Sequence, residues 1–375
     1  MSTILQQIIN AYNAAAPLAR AATIPSSWYT DPRIADLERR TVFGNNWQFV
    51  GRLDQLRETG RFITADVGGE PIVVTRGSDG KLHGCYNVCR HHAAIIATEA
   101  EGSCGVLRCP YHGWTYDLDG SLKGAPEFEG VENFDKKQNS LVPVRVDTWE
   151  NFVFVHLGED RTSLAEYLGD IPARTKPLNL AGSKFFERRS WTIHCNWKVY
   201  VDNYLDGGYH IPHLHKGLNS VLEYSDYMIE TRDRYCLQWS PMRQGKDASV
   251  SSVRRGDTAY YYWLHPNFML NWYEGVMDTN LVLPLAVDKC LVVFDFYFDD
   301  ISPAAEARNR QSVEVGTRVQ QEDVDICASV QRGLQSKAYD VGRLSVRREA
   351  GEHLFHRMLH ADLSRGAPAS GPATP

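Results

Sequence analysis

No apolar run in the chain approaches the roughly 20 residues that span a bilayer, so no membrane-crossing helix is expected. The opening MSTILQQIINAYNAAAPLARAA lacks the basic flank and long apolar stretch of a secretory signal. With one Arg and no Ser-rich bias it does not read as a transit peptide either. A cytoplasmic location is the expectation. Charge of one sign is also missing. Lys and Arg number 40 against 46 Asp and Glu, a net −6 spread over mixed signs, so neither nucleic acid nor membrane is an expected partner. Eight cysteines in 375 residues are too few for a disulfide framework in a long intracellular chain. Six of them read as small buried hydrophobes. There is no internal repeat. What remains is an ordinary globular composition, 43% hydrophobic and 23% charged, long enough for a sizeable core and two or three domains.

Residues 1–45 read as a helix, a break at Pro25-Ser26-Ser27, and a second helix through Asp31–Thr41. From Trp47 to Leu157, short runs rich in Val, Ile, Thr and aromatics alternate with Asp-Gly turn signals, the pattern of a small all-β module. After a Pro-containing connection near Leu164–Leu180, residues 186–299 mix strands and helices. The stretch ERRSWTIHCNWKVYVDNYLDGGYH passes from strand to helix, and Tyr260–Tyr273 and Leu281–Phe298 read as long strands. Residues 304–334 and 345–360 have helical periodicity, and SRGAPASGPATP is disordered by composition.

Two patches carry chemistry. The first is Cys89-x-His91, seventeen residues, then Cys109-Pro-Tyr-His112-Gly-Trp. Each half follows a predicted strand, so two loop tips can converge on one centre. Two Cys and two His could hold tetrahedral zinc. The flanking residues tip the balance, because the pair with Gly113 and Trp114 resembles the Rieske signature, in which two thiolates hold one iron of a [2Fe–2S] cluster and two imidazoles the other. Respiratory Rieske proteins carry a further cysteine pair in these loops; here Ala94 and Tyr111 stand there, as in the oxygenase and ferredoxin type.

The second patch, DNYLDGGYHIPHLH, puts three histidines within six positions. Following a Rieske module and Asn-Trp-Lys, it resembles the Rieske non-haem iron oxygenases over residues from about 45 to 360. That resemblance implies a 2-His-1-carboxylate iron site with positions left open for O2. The family spacing selects His210 and His215, leaving His213 as a pocket or outer residue. The carboxylate comes from the stretch VQQEDVDICASVQRGL, where Asp323 fits best and Glu322 and Asp325 are the alternatives. In the family a carboxylate three residues before the first His bridges cluster and iron across subunits. That place is Gly207 here, so Asp206 is the candidate, with Asp202 or another carboxylate as alternative.

The resemblance further implies an α+β fold: an N-terminal all-β Rieske domain and a C-terminal helix-grip catalytic domain, an antiparallel sheet with helices. The expected divisions are 1–45 helical, 46–160 Rieske, 161–362 catalytic and 363–375 disordered. It implies a homotrimer supplied with electrons by an NAD(P)H-dependent flavin and iron–sulfur reductase. The phrases DNYLDGGYHIPHLHKGL, HPNFMLNWYEGVMDTN and EDVDICASVQRGLQSKAYDVGRLS are similar to choline monooxygenases and related quaternary-ammonium oxygenases. Choline is then the expected substrate, with glycine betaine or carnitine as alternatives. Aromatic faces bind such a cation. Tyr204, Phe268 and Trp272 are candidate walls and Glu274 a candidate counter-charge; alternation sets Phe268, Leu270 and Trp272 on one strand face and Met269, Asn271 and Tyr273 on the other. Rival readings are a ring-hydroxylating dioxygenase, which would share the ligands, and a Rieske electron carrier, which would need only the β module.

Overall fold

The computed structural model describes residues 3–243 and 248–366. The chain divides into two compact units, Phe43–Tyr167 and Met1–Val42 with Leu168–Pro375. The N-terminal helices therefore belong with the C-terminal part rather than standing alone. Among the described residues no helix is long and apolar enough to cross a membrane.

The Phe43–Tyr167 unit is built on β-sheet, with a short 3-10 turn at Leu53–Leu56 and the helix Leu164–Leu168 at its end. Its seven-stranded antiparallel sheet runs in the order Gln48–Arg52, Phe152–His156, Pro143–Trp149, Leu82–Tyr86, Glu70–Arg76, Arg61–Val67, Glu101–Ser103. A three-stranded sheet, Leu107–Arg108, Thr115–Tyr116 and Leu122–Gly124, carries the second cysteine loop. The strand Phe152–His156 is buried along its whole length. At the Asp119-Gly120 turn Gly120 adopts φ 89°, and a Cβ there would collide with the Cys85 Sγ, so only glycine fits.

The other unit is a seven-stranded antiparallel sheet with helices. Its order is Lys184–Ile193, Lys289–Phe298, Val276–Ala286, Phe268–Tyr273, Thr258–Leu264, Tyr235–Pro241, Met228–Thr231. The two long strands expected at Tyr260–Tyr273 and Leu281–Phe298 are instead parts of successive hairpins. His265-Pro266 ends the first, since Pro has no N–H for the ladder, and Val287-Asp288 turns the second. Helix Glu306–Leu334 spans 29 residues, and helix Ala350–Arg365 runs through the start of the expected disordered tail; residues 367–375 lie outside the described residues.

Asn-Trp-Lys opens helix Trp197–Leu205. The Asn196 side chain caps it by accepting from the Lys198 N–H at 3.0 Å. Trp197 Nε1 and Lys198 Nζ both donate to the Glu38 carboxylate, at 2.9 and 2.6 Å, a fully buried pair that fastens the N-terminal helix Pro32–Glu38 to the same unit. The N-terminal region differs from expectation: Ser26–Thr30 is a short helix rather than a break, and Asp31 caps Pro32–Glu38, with Pro32 at the first helical position.

Candidate metal centres and substrate cavity

The two cysteine loops are built alike. In each, the residue four after Cys has positive φ and donates its N–H to the Cys carbonyl: Ala93 to Cys89 (φ 59°, 3.0 Å) and Gly113 to Cys109 (φ 73°, 3.2 Å). In each, the Cys N–H donates to the next carbonyl on, Ala94 or Trp114. The same backbone turn thus shapes both loops that carry the thiols and imidazoles. The His91 and His112 rings lie 4.7 Å apart, and His91 stacks on Trp114 at 4.8 Å. Tyr116 is hydrogen-bonded to Cys89 Sγ at 3.3 Å and accepts from the Arg90 N–H at 3.0 Å. The His91 Nδ1 is buried with no hydrogen-bond partner among the described residues, and burial, then the neighbouring His92 and His112, lowers that ring below the usual imidazole value. A buried, unpartnered imidazole nitrogen on the loop that carries Cys89, meeting His112 of the Cys109 loop ring to ring, fits a Rieske cluster. His92, which sequence reasoning passed over, has a ring nitrogen within 4.8 Å of both histidines; it is exposed.

His210, His215 and Asp323 come together, their ligand atoms all within 4.8 Å. Asp323 Oδ1 lies 3.1 Å from His215 Nε2 and 4.0 Å from His210 Nε2. Each ring is aimed by a carboxylate behind it: Asp206 sits 2.6 Å from His210 Nδ1 and Glu322 2.6 Å from His215 Nδ1. Asn203 Nδ2 donates to Asp323 at 2.8 Å. Two imidazoles and a carboxylate with such outer partners form the donor set for a mononuclear iron. Glu322, the alternative ligand, instead orients His215. Asp325 is exposed and accepts from Gln321. His213 is exposed and outside the cavity, which corrects its expected pocket role.

The shift of the bridge candidate from 207 to 206 has a steric cause. Gly207 has φ 67°, and a Cβ there would run into the Arg348 carbonyl and the Ile229 side chain, so no carboxylate can stand at that position. Asp206 also accepts the His210 backbone N–H at 3.0 Å. Asp202 faces elsewhere, to Tyr29 and His356.

The iron-site residues open on a cavity of about 120 Å³ lined by Tyr200, whose hydroxyl donates to Gln320 at 2.5 Å, and by Tyr204, Tyr227, Tyr261 and Tyr273. Their hydroxyls are tied. Tyr204 donates to Asn271 Oδ1 at 2.7 Å, Tyr227 to Gln238 at 3.2 Å, and Tyr261 and Tyr273 bond each other at 2.8 Å. Burial pushes the phenols of Tyr204, Tyr227 and Tyr261 well above their usual range, so they stay neutral. Tyr204 is where the sequence placed it. Phe268 and Trp272 are not part of the wall: the strand turns Asn271 and Tyr273 to the cavity, while Phe268 packs in the core and Trp272 Nε1 donates to the Leu178 carbonyl at 3.2 Å. Alternation had separated the two faces without saying which met the iron. Glu274 is exposed. Its expected place is taken by Asp278, 5% exposed, which accepts from Asn271 and Asn280 at 2.7 and 3.1 Å; burial raises its carboxyl against the pull of Arg254. Arg254, 7% exposed, lies 4.8 Å over the Tyr273 ring and donates to Ser312 at 2.6 Å, and among the described residues no carboxylate lies within 4.0 Å of it.

Residues 46–135 match the Rieske [2Fe-2S] domain family, and residues 181–364 match the ring hydroxylating alpha subunit (catalytic domain) family. The chloroplastic choline monooxygenase of Arabidopsis thaliana is 42% identical over 96% of this chain and 87% of that protein. The carnitine monooxygenase oxygenase subunit of Escherichia coli (strain K12) is 30% identical over 90% of this chain and 91% of its own length. Among solved structures, a quaternary ammonium Rieske monooxygenase described for carnitine oxidation and inter-subunit electron transfer superposes with TM-score 0.84 at 29% identity, covering 94% of this chain and 98% of that one. These matches set aside zinc in the cysteine loops and a bare electron carrier.

Proposed function

The chain belongs to the Rieske non-haem iron oxygenases, and on that premise we propose that it hydroxylates a small quaternary ammonium compound, choline first among them. The observation that carries the substrate reading is the cavity beside His210, His215 and Asp323, lined by five tyrosines, Tyr200 among them, and a buried carboxylate, Asp278. A trimethylammonium head accepts no hydrogen bond and donates none, so aromatic faces and a counter-charge are the partners it can use.

When bound, the cluster passes single electrons and the mononuclear iron activates O2. Cys89, His91, Cys109 and His112 would hold the first; His210, His215 and Asp323 would hold the second. Asp206 fixes the orientation of His210 and, as the carboxylate bonded to that ligand, is our candidate for the bridge to the cluster. Asn203 holds Asp323, and Glu322 holds His215. The tied tyrosines present fixed faces to the cation, and Asp278 supplies the opposing charge. With choline, one oxygen atom of O2 enters the alcohol carbon to give the aldehyde hydrate. The other leaves as water, using two electrons and two protons.

Electrons come from an NAD(P)H-dependent flavin and iron–sulfur reductase, and the assembly is a homotrimer with transfer between subunits. The exposure of His112 and His92 supports outward transfer from the cluster, as does the inter-subunit transfer described for the solved relative. Eight free cysteines support a reducing compartment such as the cytoplasm.

A carboxylated substrate, glycine betaine or carnitine, is the second reading. Arg254 favours it: among the described residues no carboxylate lies within ion-pair distance of this buried guanidinium, so a ligand carboxylate can be received there. The test is O2 uptake with a competent reductase and product analysis, comparing choline, glycine betaine, carnitine and neutral 3,3-dimethylbutanol. Turnover of a cation well above the neutral isostere is the expected result. Equal turnover of the isostere would overturn the charge reading. Oxidation of an aromatic ring with no product from any cation would assign the chain to the ring-hydroxylating dioxygenases instead.

A further inference from the structure

Helix Trp197–Leu205 borders a second cavity, of about 200 Å³, whose lining includes Tyr29, Asp202, Asp206 and Glu352. Asp202, Glu352 and His356 each bring one possible ligand atom within 4.8 Å of the other two. Glu352 and His356 are four apart on helix Ala350–Arg365 and so share a face. Asp202 reaches them from the neighbouring helix. His356 Nε2 lies 3.0 Å from Asp202 Oδ1 and 3.8 Å from Glu352 Oε1. The iron trio shows nearly the same spacing, 3.1 and 4.0 Å about Asp323 Oδ1.

An independent observation concerns Glu352 itself. It is 7% exposed, lines the cavity, and among the described residues receives no hydrogen bond. Burial, and then Asp202, Glu349 and Asp206, push its carboxyl well above the usual range. Two carboxylates, Asp202 and Glu352, thus meet the one imidazole of His356 with the charges of Glu349 and Asp206 acting on Glu352 from farther off, and a buried acid in that company is costly unless a cation joins it.

We propose that Asp202, Glu352 and His356 form a second metal site, distinct from the mononuclear iron, for a divalent first-row cation. Two carboxylates and one imidazole suit Mn2+, Fe2+ or Zn2+. The ion ties helix Ala350–Arg365 to the helix that ends at Asp206, the residue orienting His210. Its hold is weaker than that on the iron. Tyr29 donates to Asp202 at 2.5 Å, but among the described residues the buried His356 Nδ1 has no acceptor, whereas His210 and His215 both have one. Outer partners of this kind change metal affinity by about 10–100-fold. The ion therefore exchanges under a mild chelator that leaves the iron in place.

The test uses the holoenzyme with cluster and iron loaded, treated with mild chelator and titrated with Mn2+, free Mn2+ being read by its electron paramagnetic signal. The expected result is one further equivalent bound with no iron released. Glu352→Gln should weaken that binding by about tenfold or more, with iron content and cluster spectrum unchanged. The substitution removes a crowded acid of the same shape, so the metal-free variant should melt no lower than the parent, and Mn2+ should raise the melting temperature of the parent only. No Mn2+ binding in the parent, or equal binding in parent and variant, would overturn the site and leave protons to neutralise the acids. Release of iron in step with Mn2+ uptake would overturn it too, by placing the Mn2+ in the iron site. None of these outcomes depends on which substrate is oxidised.

Discussion

The cluster loops and the iron trio solve the same problem in opposite ways. The cluster donors lie between positions 89 and 112, and two copies of one backbone turn set them. The iron donors lie at 210, 215 and 323, and side chains set them: Asp206 behind His210, Glu322 behind His215, Asn203 on Asp323. A site framed by main chain is robust to changes in nearby side chains. A site framed by side chains is not.

That difference also governs what could be read from the sequence. The cluster motif is local, so its residues and spacing reveal it directly. His210 and His215 are nearly as local. Asp323 required the resemblance, and the role of Glu322 required the fold, since no spacing rule links positions 107 apart. Position 207 carries no carboxylate for a reason invisible in one dimension, the Arg348 carbonyl lying against Gly207. The substrate wall was half legible: period-two alternation separated Asn271 and Tyr273 from Phe268 and Trp272, but only the helices packed on the sheet decide which face is the cavity. Of the two expected long strands, Tyr260–Tyr273 carries its own warning in His265-Pro266. Asp278 gave no signal, being one acidic residue in a strand.

The largest effects come from removing donors. Cys109→Ser should abolish the cluster spectrum while the mononuclear iron and the fold of the other unit persist, because each unit has its own core. His215→Ala should do the reverse, and His213→Ala should keep both centres. Iron analysis with electron paramagnetic resonance checks all three variants. Loss of both centres from either donor variant would break the contrast.

Glu322→Gln should be next. It keeps the shape but weakens the hold on His215, lowering affinity for the mononuclear iron by about 10–100-fold in a chelator competition, with the cluster untouched. Asp278→Asn should raise KM for a quaternary ammonium substrate by about tenfold, equivalent to ~1.4 kcal/mol, and leave a neutral isostere unaffected. The smallest effect tests the main-chain frame. Gly113→Ala has room for its methyl, the nearest neighbour being Pro126 Cγ at 3.8 Å. Only the positive φ is penalised, so denaturant melts should show a loss of about 1 kcal/mol with the cluster retained, as the Ala at position 93 already sustains the same turn.

The most direct test of the two-centre account is iron content and cluster spectrum in Asp323→Ala and Glu322→Ala, prepared side by side. The account predicts that Asp323→Ala falls from about three irons per chain to about two, with an intact Rieske signal, while Glu322→Ala binds the third iron more weakly but still binds it at saturating Fe(II). Full iron occupancy in Asp323→Ala, with the third iron lost at saturation from Glu322→Ala, would contradict it.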